Sequence, residues 1–192
     1  MSTTEPIRSK HQVNELTKFY SRKGQTRNHL LIIMALHTAL RISDLLRLHW
    51  DDVYDFKRSA ARETVHLTEK KTGKTKVLSL NKRVTEAVAA LFAQNHATPG
   101  KSVFINQRTG KAISRIQAYR IVRSASEALE FQHIASCHSL RKTFGYHSWK
   151  EGVSPVVIMD IYNHSSFDVT RRYLGITQDE KNEVYLNLDF SV

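Results

Sequence analysis

The sequence predicts a mostly helical α+β domain with one small antiparallel β-sheet. Apolar residues recur every three or four positions along most of the chain, which is the spacing of one face of a helix. A single region, residues 64–80, alternates instead, and its central Lys-Thr-Gly-Lys is typical of a β-hairpin turn. With 192 residues, 41% of them hydrophobic, the chain is long enough for one domain with a buried core.

The elements before the hairpin are predicted from their apolar spacing and their ends. An amphipathic helix covers about residues 10–23 and ends at Gly24. A second helix, about residues 26–39, is apolar on nearly every side, as expected for the buried centre of a domain. We expect Ser43 to cap a short helix, and residues 51–56 are a candidate third strand of the sheet.

The elements after the hairpin are helical. Residues 81–96 form a strongly helical segment, and Ser114 caps a helix that continues to about residue 129. Residues 136–152 form the next helix, and the Ser-Pro pair at 154–155 begins a short one.

A turn and a last pair of helices complete the predicted order. Asn163 tolerates the left-handed conformation that ends a helix, so His164 is expected in a turn. Ser165 and Asp168 fit a capping box for a new helix that carries Tyr173 near its end. The tail, residues 176–192, can form a further helix with a partly apolar side.

Charge and cysteine content narrow the classes of function. The chain has 29 basic against 18 acidic residues, a net charge of +11, and a pI of about 9.9. Such a charge can serve solubility alone, but it is also typical of nucleic-acid-binding proteins, the interpretation that we favour. The single cysteine, Cys137, excludes an internal disulfide framework and fits a reducing cytoplasm. The N-terminus lacks the apolar run of a signal peptide, and residues 30–36 are too few to cross a bilayer. We therefore expect a soluble protein of the cytoplasm.

The stretch from His138 to Tyr173 has an unusual density of imidazole, guanidinium and phenol groups. His138 and Arg141 are three residues apart, which places them on one face of a helix. His164 follows in the turn, and Tyr173 lies nine residues beyond it. These groups suit chemistry on a phosphodiester better than on a peptide or a sugar, although each alone is more often structural.

Arg41 is a second unusual feature, because it stands among apolar residues at the end of the buried helix. A guanidinium is expensive to bury unless an anion meets it. Asp44, three residues on, is the obvious internal partner, and a simple Arg41–Asp44 pair is one interpretation. The other is an arginine held at the floor of a pocket, with Asp44 orienting it toward a phosphate.

Basic side chains also cluster away from these positions. A cluster of lysines on a hairpin is usually a solvated turn, and the alternative is a hairpin that enters a DNA groove. The outer face of the helix after Ser114 allows the same two interpretations. The hairpin carries Lys70, Lys71, Lys74 and Lys76, and the helix carries Arg115, Arg120 and Arg123.

Taken together, these residues resemble the catalytic domain of the tyrosine recombinases, the phage-integrase family. The resemblance covers about residues 25–175 and consists of five elements in the family's order. These are an arginine box (ALRISDLL), a lysine hairpin (KKTGK), the His-x-x-Arg motif (HSLR), the turn NHSS, and a tyrosine nine residues beyond the last histidine. One box would be weakly specific, whereas five in order are highly specific.

The resemblance implies a role for each matching residue. Arg41 and Arg141 match the arginines that clamp the scissile phosphate, and Asp44 matches a carboxylate that supports the first of them. Lys71 matches the hairpin lysine that protonates the leaving 5′-oxygen, with Lys70 and Lys74 as neighbouring alternatives.

The same resemblance assigns the remaining catalytic groups. His138 matches the general base, His164 the second imidazole on the phosphate, and Tyr173 the nucleophile that forms a covalent 3′-phosphotyrosyl linkage. This chemistry implies no metal, ATP or other cofactor. Further contacts with DNA are expected from Lys70, Lys74, Lys76, Arg115, Arg120, Arg123, Arg171 and Arg172.

The chain departs from the family in two respects. The family usually has Leu-Gly-His where this chain has Tyr162-Asn163-His164. We expect Asn163 to substitute for glycine in the turn, and Tyr162 to be a packing residue rather than a nucleophile. Most members also begin with a separate DNA-clamping domain, for which there are too few residues before Arg41.

The expected organisation is therefore a single catalytic domain, residues 1–192, without a separate N-terminal domain. It is either a short recombinase of the kind that inverts promoter segments or a fragment of a longer enzyme. The resemblance implies double-stranded DNA as substrate, a tetramer assembled on DNA, and a tail, residues 176–192, that packs on a neighbouring protomer. It also implies a prokaryotic, phage or mobile-element origin and a place at the nucleoid.

Three alternatives remain. One is a non-catalytic, regulatory DNA-binding module with the same fold, and another is DNA relaxation like that of type IB topoisomerases. A remote third is a metal-dependent hydrolase that uses His133, Cys137 and His138, although no CxxC or HExxH spacing supports it.

Overall fold

The computed structural model describes residues 4–95, 97–175 and 178–189, and the described chain is mostly helical. The predicted last residue of one helix, at position 96, lies outside the described residues, as do positions 176–177 and 190–192 of the tail. The described helices are α1 (Lys10–Phe19), α2 (Thr26–His37), α3 (Ile42–Leu45), α4 (Trp50–Val53), α5 (Lys82–Asn95), α6 (Arg115–Ala128), α7 (Cys137–Lys150), α8 (Pro155–Tyr162), α9 (Phe167–Leu174) and α10 (Gln178–Asn187).

Two small antiparallel sheets stand where one was predicted. The strands are β1 (Tyr54–Asp55), β2 (Ala60–Ala61), β3 (Thr64–Thr68) and β4 (Thr75–Ser79). The predicted hairpin is β3 paired with β4, with Val65 opposite Leu78 on the buried face. Gly73 has the positive φ of 67° that its turn requires.

The predicted third strand over residues 51–56 is wrong. The Asp52 carboxylate accepts a hydrogen bond of 2.8 Å from the His49 amide, which caps the helical turn α4. Only β1 remains extended, and it pairs with β2 instead of joining the hairpin.

Helix α2 is the centre of the core, as its apolar sequence predicted. Every residue from 30 to 36 is buried, and the helix packs between α5 and α7. A smaller apolar cluster lies beside this core, where α8 and α9 pack on α7, and it includes Ala39, Ile158, Tyr162 and Leu174. This second cluster fixes the position of the helix that carries Tyr173.

Gly145 lets α8 approach α7 closely. A Cβ atom at position 145 would collide with the hydroxyl and ring of Tyr162. That ring has no room to move, because Tyr162 is fully buried and its hydroxyl donates a 2.6 Å hydrogen bond to the carbonyl of Arg141. Tyr162 is therefore a packing residue, as predicted.

Replacing this glycine tests the close approach. We expect Gly145→Ala to lower the free energy of unfolding by about 1–3 kcal/mol, as in other overpacked cores, although alanine is the better helix former. The measurement is urea denaturation followed by circular dichroism. In a double-mutant cycle with Tyr162→Phe, which removes the colliding hydroxyl, the cost of the alanine should shrink. An equal cost in both backgrounds would contradict the proposed collision.

Candidate active site

Helix α7 places His138 and Arg141 at different depths. Its N-cap residue, Ser136, accepts hydrogen bonds of 3.2 Å from the amides of His138 and Ser139, which fixes the first turn. His138 is on the solvent-accessible side, whereas Arg141, almost one turn further, has only 2% of its surface exposed. The predicted helical spacing therefore gives one accessible imidazole above one buried guanidinium.

The Arg141 guanidinium joins two separate segments of the chain. Its Nη1 donates to the carbonyl of Ala39, and its Nη2 donates to the carbonyl of Tyr162 at 3.1 Å. The guanidinium carbon also lies 4.5 Å from the centre of the Tyr162 ring. Its Nε, equally buried, has no hydrogen-bond partner among the described residues. Arg141 is thus held at both Nη atoms, while its Nε is unpaired among the described residues.

Arg41 approaches the same carbonyl from the other side. Arg41 itself is the N-cap residue of α3, so the prediction that Ser43 would cap this helix is wrong. The Arg41 Nη2 lies 3.5 Å from the Tyr162 carbonyl oxygen, and 21% of its side chain remains exposed. The two arginines therefore converge at the end of α8.

The ion-pair partner of Arg41 is Glu69, which was not among the predicted site residues. The Arg41 Nη1 lies 2.8 Å from Glu69 Oε2, and the Glu69 side chain is fully buried. Asp44, the predicted partner, instead accepts a 2.9 Å hydrogen bond from the backbone amide of Lys70. One signal was present in the sequence, since Glu69 is the only acidic residue between positions 64 and 80.

The hairpin lysines separate into two groups. Lys70, Lys71 and Lys74 are exposed around the turn, where they are free to meet a polyanion. Lys76, predicted only as a DNA contact, points inward and donates to the carbonyl of Ile161. Burial and the nearby Arg141 lower the pKa of Lys76 to about 8. The structure therefore places a third cation beside the two arginines.

Tyr173 lies between the two predicted histidines. Its ring centre is 5.0 Å from that of His138 and 4.6 Å from that of His164. The Arg141 guanidinium carbon is 5.9 Å from the same ring centre. The Nζ of Lys142, which was not among the predicted site residues, lies 5.8 Å from the Tyr173 ring centre. The nucleophile candidate is therefore among the imidazoles and guanidiniums in this single chain.

The turn after α8 positions His164. Asn163 adopts the predicted left-handed conformation, with φ 53° and ψ 41°. The His164 amide then donates to the Met159 carbonyl at 3.1 Å, and its Nδ1 lies 3.0 Å from Thr170 Oγ1. The predicted capping box is wrong, because α9 begins after Ser166, whose side chain makes no capping hydrogen bond. His164 is oriented by Thr170 on α9 instead.

Both imidazoles are held neutral. Partial burial lowers the pKa of His138, and the positive charges of Lys142, Arg141 and Arg41 lower it further. Burial also lowers the pKa of His164 to about 4, with Arg141 and Arg41 acting in the same direction. A neutral imidazole keeps one nitrogen as an acceptor and the other as a donor, which suits acid–base chemistry.

The other predicted DNA contacts lie on the surface and outside this cluster. These are five arginines, and all five side chains are exposed. Two of them pair with carboxylates: Arg123 with Glu127 at 2.6 Å, and Arg171 with Asp168 at 3.7 Å. Besides Arg123 and Arg171, the set comprises Arg115, Arg120 and Arg172.

The described ranges contain neither a metal-binding group nor a membrane-spanning helix. Residues 4–95, 97–175 and 178–189 contain no group of three or more His, Cys, Asp or Glu side chains arranged to hold a metal ion. No helix in the same ranges combines the length and apolarity needed to traverse a bilayer.

Comparison with known proteins identifies the family. The model of the phage integrase family matches residues 8–180. The chain belongs to the phage integrase family. Among its relatives, the probable integrase/recombinase YoeC of Bacillus subtilis is 35% identical over 189 residues, 96% of this chain and 97% of YoeC. The tyrosine recombinase XerD of Mycobacterium leprae is 26% identical over 170 residues, which are 83% of this chain and 51% of XerD.

Solved structures of the family confirm the fold. The XerA recombinase superposes with a TM-score of 0.78 at 18% identity, over 98% of this chain and 68% of XerA. The XerH site-specific recombinase, bound to its palindromic difH substrate after cleavage, gives a TM-score of 0.75 at 17% identity, over 96% and 53% of the two chains. The predicted family and fold class are confirmed, and site-specific recombination is the activity that this family membership supports.

The environment of His164 predicts a pH dependence of stability. Its pKa falls from 6.5 to about 4 on folding, so the unfolded chain binds more protons between those values. The free energy of unfolding should therefore rise with pH across this window, and the part of it that depends on a neutral His164 is lost as the pH falls toward 4. In His164→Gln, urea denaturation at several pH values should give a smaller slope.

Nuclear magnetic resonance checks the same assignment directly. One imidazole Cε1 proton resonance should titrate near pH 4 in the wild-type protein and be absent from His164→Gln. A His164 resonance that titrates near 6.5 would contradict the neutral, buried imidazole.

Proposed function

We propose that this member of the phage integrase family is a site-specific recombinase that cleaves and rejoins double-stranded DNA through a covalent 3′-phosphotyrosyl intermediate. The observation that carries the proposal is the position of Tyr173, between His138 and His164 and beside Arg141. A phenol in that place can attack a phosphodiester whose oxygens meet the guanidiniums.

Arg41 and Arg141 form the clamp for the scissile phosphate. In-line attack produces a pentacoordinate transition state with additional charge on the non-bridging oxygens. Guanidiniums fixed before the reaction stabilise this charge as it develops, without reorganisation. Their carbonyl partners at Ala39 and Tyr162 hold Arg141 in place, and its free Nε remains available to a phosphate oxygen.

The proton transfers follow from the neutral imidazole and the hairpin. As Tyr173 Oη bonds to phosphorus, its proton passes to the neutral His138. The bond from phosphorus to the 5′-oxygen breaks, and Lys71 supplies a proton to that oxygen from the hairpin. The products are a 3′-phosphotyrosyl bond and a free 5′-hydroxyl, so the phosphodiester energy is conserved. The same steps in reverse rejoin the strand to a different 5′-hydroxyl.

His164 and Lys76 complete the anion-binding site in this proposal. Since Thr170 occupies the Nδ1 side of His164, its Nε2 can donate to a non-bridging oxygen. Lys76 adds positive charge next to the arginines from the base of the hairpin. Asp44 supports the hairpin rather than pairing directly with Arg41.

DNA is the proposed partner because the net charge is +11 and the basic side chains outside the cluster are exposed. XerH, a structural neighbour, was solved on its difH DNA substrate. We further propose that the chain acts in the cytoplasm at the nucleoid, where double-stranded DNA is found. The proposed contacts with the phosphate backbone are Lys70, Lys74, Arg115, Arg120, Arg123, Arg171 and Arg172.

A tetramer on DNA is the proposed assembly, because exchange between two duplexes uses four cleaved strands. The end of helix α10 and the residue that follows it support this assembly, because they expose large apolar side chains in this single chain. We propose that this helix and the rest of the tail pack on a neighbouring protomer. The exposed side chains are Val184, Tyr185, Leu186 and Leu188.

Covalent capture of nicked DNA tests the nucleophile. A nick next to the cleavage position lets the 5′-hydroxyl fragment diffuse away, so that the protein–DNA adduct accumulates. The wild-type protein should form the adduct, seen as a slower band in denaturing gels, and Tyr173→Phe should form none while still binding DNA. Tyr162→Phe is the matched control and should retain capture. An adduct with Tyr173→Phe would exclude Tyr173, and its absence from the wild type would favour a non-catalytic module.

Plasmids with one or two recombination sites separate recombination from relaxation. A recombinase should delete or invert the segment between two sites and leave a one-site supercoiled plasmid largely unrelaxed, because its reaction needs a synaptic pair. Restriction digestion of the products distinguishes the outcomes. Equal relaxation of both plasmids without recombinant products would instead indicate a topoisomerase-like activity.

A further inference from the structure

We propose that Glu69 is a positioning residue that couples the Arg41 guanidinium to the hairpin tip carrying Lys71, so that clamp and proton donor are set together. This inference rests on the proposed recombinase chemistry and adds to it a residue with no assigned role. Glu69 touches neither reacting atom in the proposed mechanism, and it acts through the two residues that do.

The first half of the coupling is the ion pair. Glu69 Oε2 lies 2.8 Å from Arg41 Nη1, and the Glu69 side chain has no exposed surface. Arg41 Nη1 is buried without a hydrogen-bond partner among the described residues, so the carboxylate holds the guanidinium by charge at short range rather than by a directed hydrogen bond. Glu69 is therefore the negative charge beside Arg41 while the Arg41 Nη2 lies 3.5 Å from the Tyr162 carbonyl oxygen.

The second half is the hairpin turn. The same Oε2 atom accepts a 2.8 Å hydrogen bond from the hydroxyl of Thr72, the residue after Lys71. The backbone of Glu69 also closes the turn, because its carbonyl accepts from the Gly73 amide at 2.9 Å and its amide donates to the Lys74 carbonyl at 3.0 Å. One carboxylate oxygen thus holds both Arg41 and the turn.

Lys71 is held from its other side as well. The amide of Lys70 donates to Asp44 Oδ1 at 2.9 Å, and Asp44 is buried three residues beyond Arg41. Both neighbours of Lys71 in the chain are therefore tied to carboxylates beside Arg41, while the Lys71 side chain itself is exposed. This arrangement fixes the backbone from which Lys71 projects and leaves its ammonium free.

The charge of Glu69 is maintained in its buried place. Burial raises its pKa, but the Thr72 hydroxyl, the Arg41 guanidinium and the Asn163 side chain together outweigh that effect and hold the pKa below its usual value. Glu69 is therefore ionised near neutral pH. A buried carboxylate contributes little stability that an apolar side chain of the same size would not, so positioning is the better explanation for it.

Single-turnover cleavage of nicked DNA on two leaving groups tests the coupling. One substrate has the natural 5′-oxygen, and the other has sulfur at that bridging position. A thiolate needs no proton to leave, because a thiol is far more acidic than an alcohol. The sulfur substrate therefore rescues defects in proton donation but not defects in the arginine clamp.

The expected pattern places Glu69 between its two partners. Lys71→Ala should cleave the oxygen substrate slowly and regain its rate on the sulfur substrate. Arg41→Ala should cleave both substrates slowly. Glu69→Ala should lose roughly 10- to 100-fold on oxygen, a loss typical of misplaced catalytic groups, and recover only part of it on sulfur. Thr72→Val, which removes only the hairpin contact, should show a smaller loss that sulfur restores.

Controls separate positioning from folding. Glu63 is an exposed carboxylate just before β3, the strand that leads to Glu69. Glu63→Gln should therefore leave the cleavage rates of both the oxygen and the sulfur substrate unchanged. Glu69→Gln keeps the side-chain shape and carries the test if Glu69→Ala does not fold. Hydrogen exchange should be faster at the Gly73 amide in Glu69→Gln than in Glu63→Gln.

Several results would overturn the proposal. One is an unchanged cleavage rate for both Glu69 variants. Another is an equal loss of rate on the oxygen and sulfur substrates, which would mean that Glu69 acts only through Arg41. Complete recovery on sulfur would confine it to the hairpin and also reject the coupling. If the wild-type protein formed no adduct with either substrate, the recombinase proposal itself would fail, and the inference with it.

Discussion

The site depends on the hydrogen bonds that the buried guanidinium of Arg141 donates to two backbone carbonyls. Removing the guanidinium from water is costly, and the backbone carbonyls of Ala39 and Tyr162 offset that cost. Those carbonyls come from the end of α2 and the end of α8, so one side chain joins the segments that carry Arg41 and His164. Ala39 adopts a positive φ of 54° to direct its carbonyl there, which indicates that the tertiary contacts determine this backbone.

The charge balance around Arg141 explains the states of its neighbours. The C-terminal end of a helix has partial negative charge, and the end of α8 attracts Lys76 and both arginines. Burial, together with the charges of Arg141 and Arg41, lowers the pKa of His164 and keeps its imidazole neutral, whereas Glu69 stays ionised next to Arg41. The site is therefore strongly positive with two neutral imidazoles, which matches the needs of a phosphate and an attacking phenol.

Local patterns predicted the helices because each depends on residues close in sequence. The apolar run of α2, the Ser136 cap of α7 and the left-handed Asn163 all act through neighbours within one or two turns. Errors arose where several local signals competed. Ser43 resembled a cap, but Arg41 holds that position, and the Asp52 cap turned a predicted strand into α4.

The sequence by itself determined the family, the order of the elements and the candidates for nucleophile, imidazoles and arginines, because these occur in spaced motifs. The tertiary structure decided which groups meet. Arg41 pairs with Glu69 rather than Asp44, and Lys76 turns inward to the Ile161 carbonyl, within the electrostatic influence of both arginines. Such pairings join residues far apart in the chain, and only packing, which desolvates charges and thereby selects their partners, settles them.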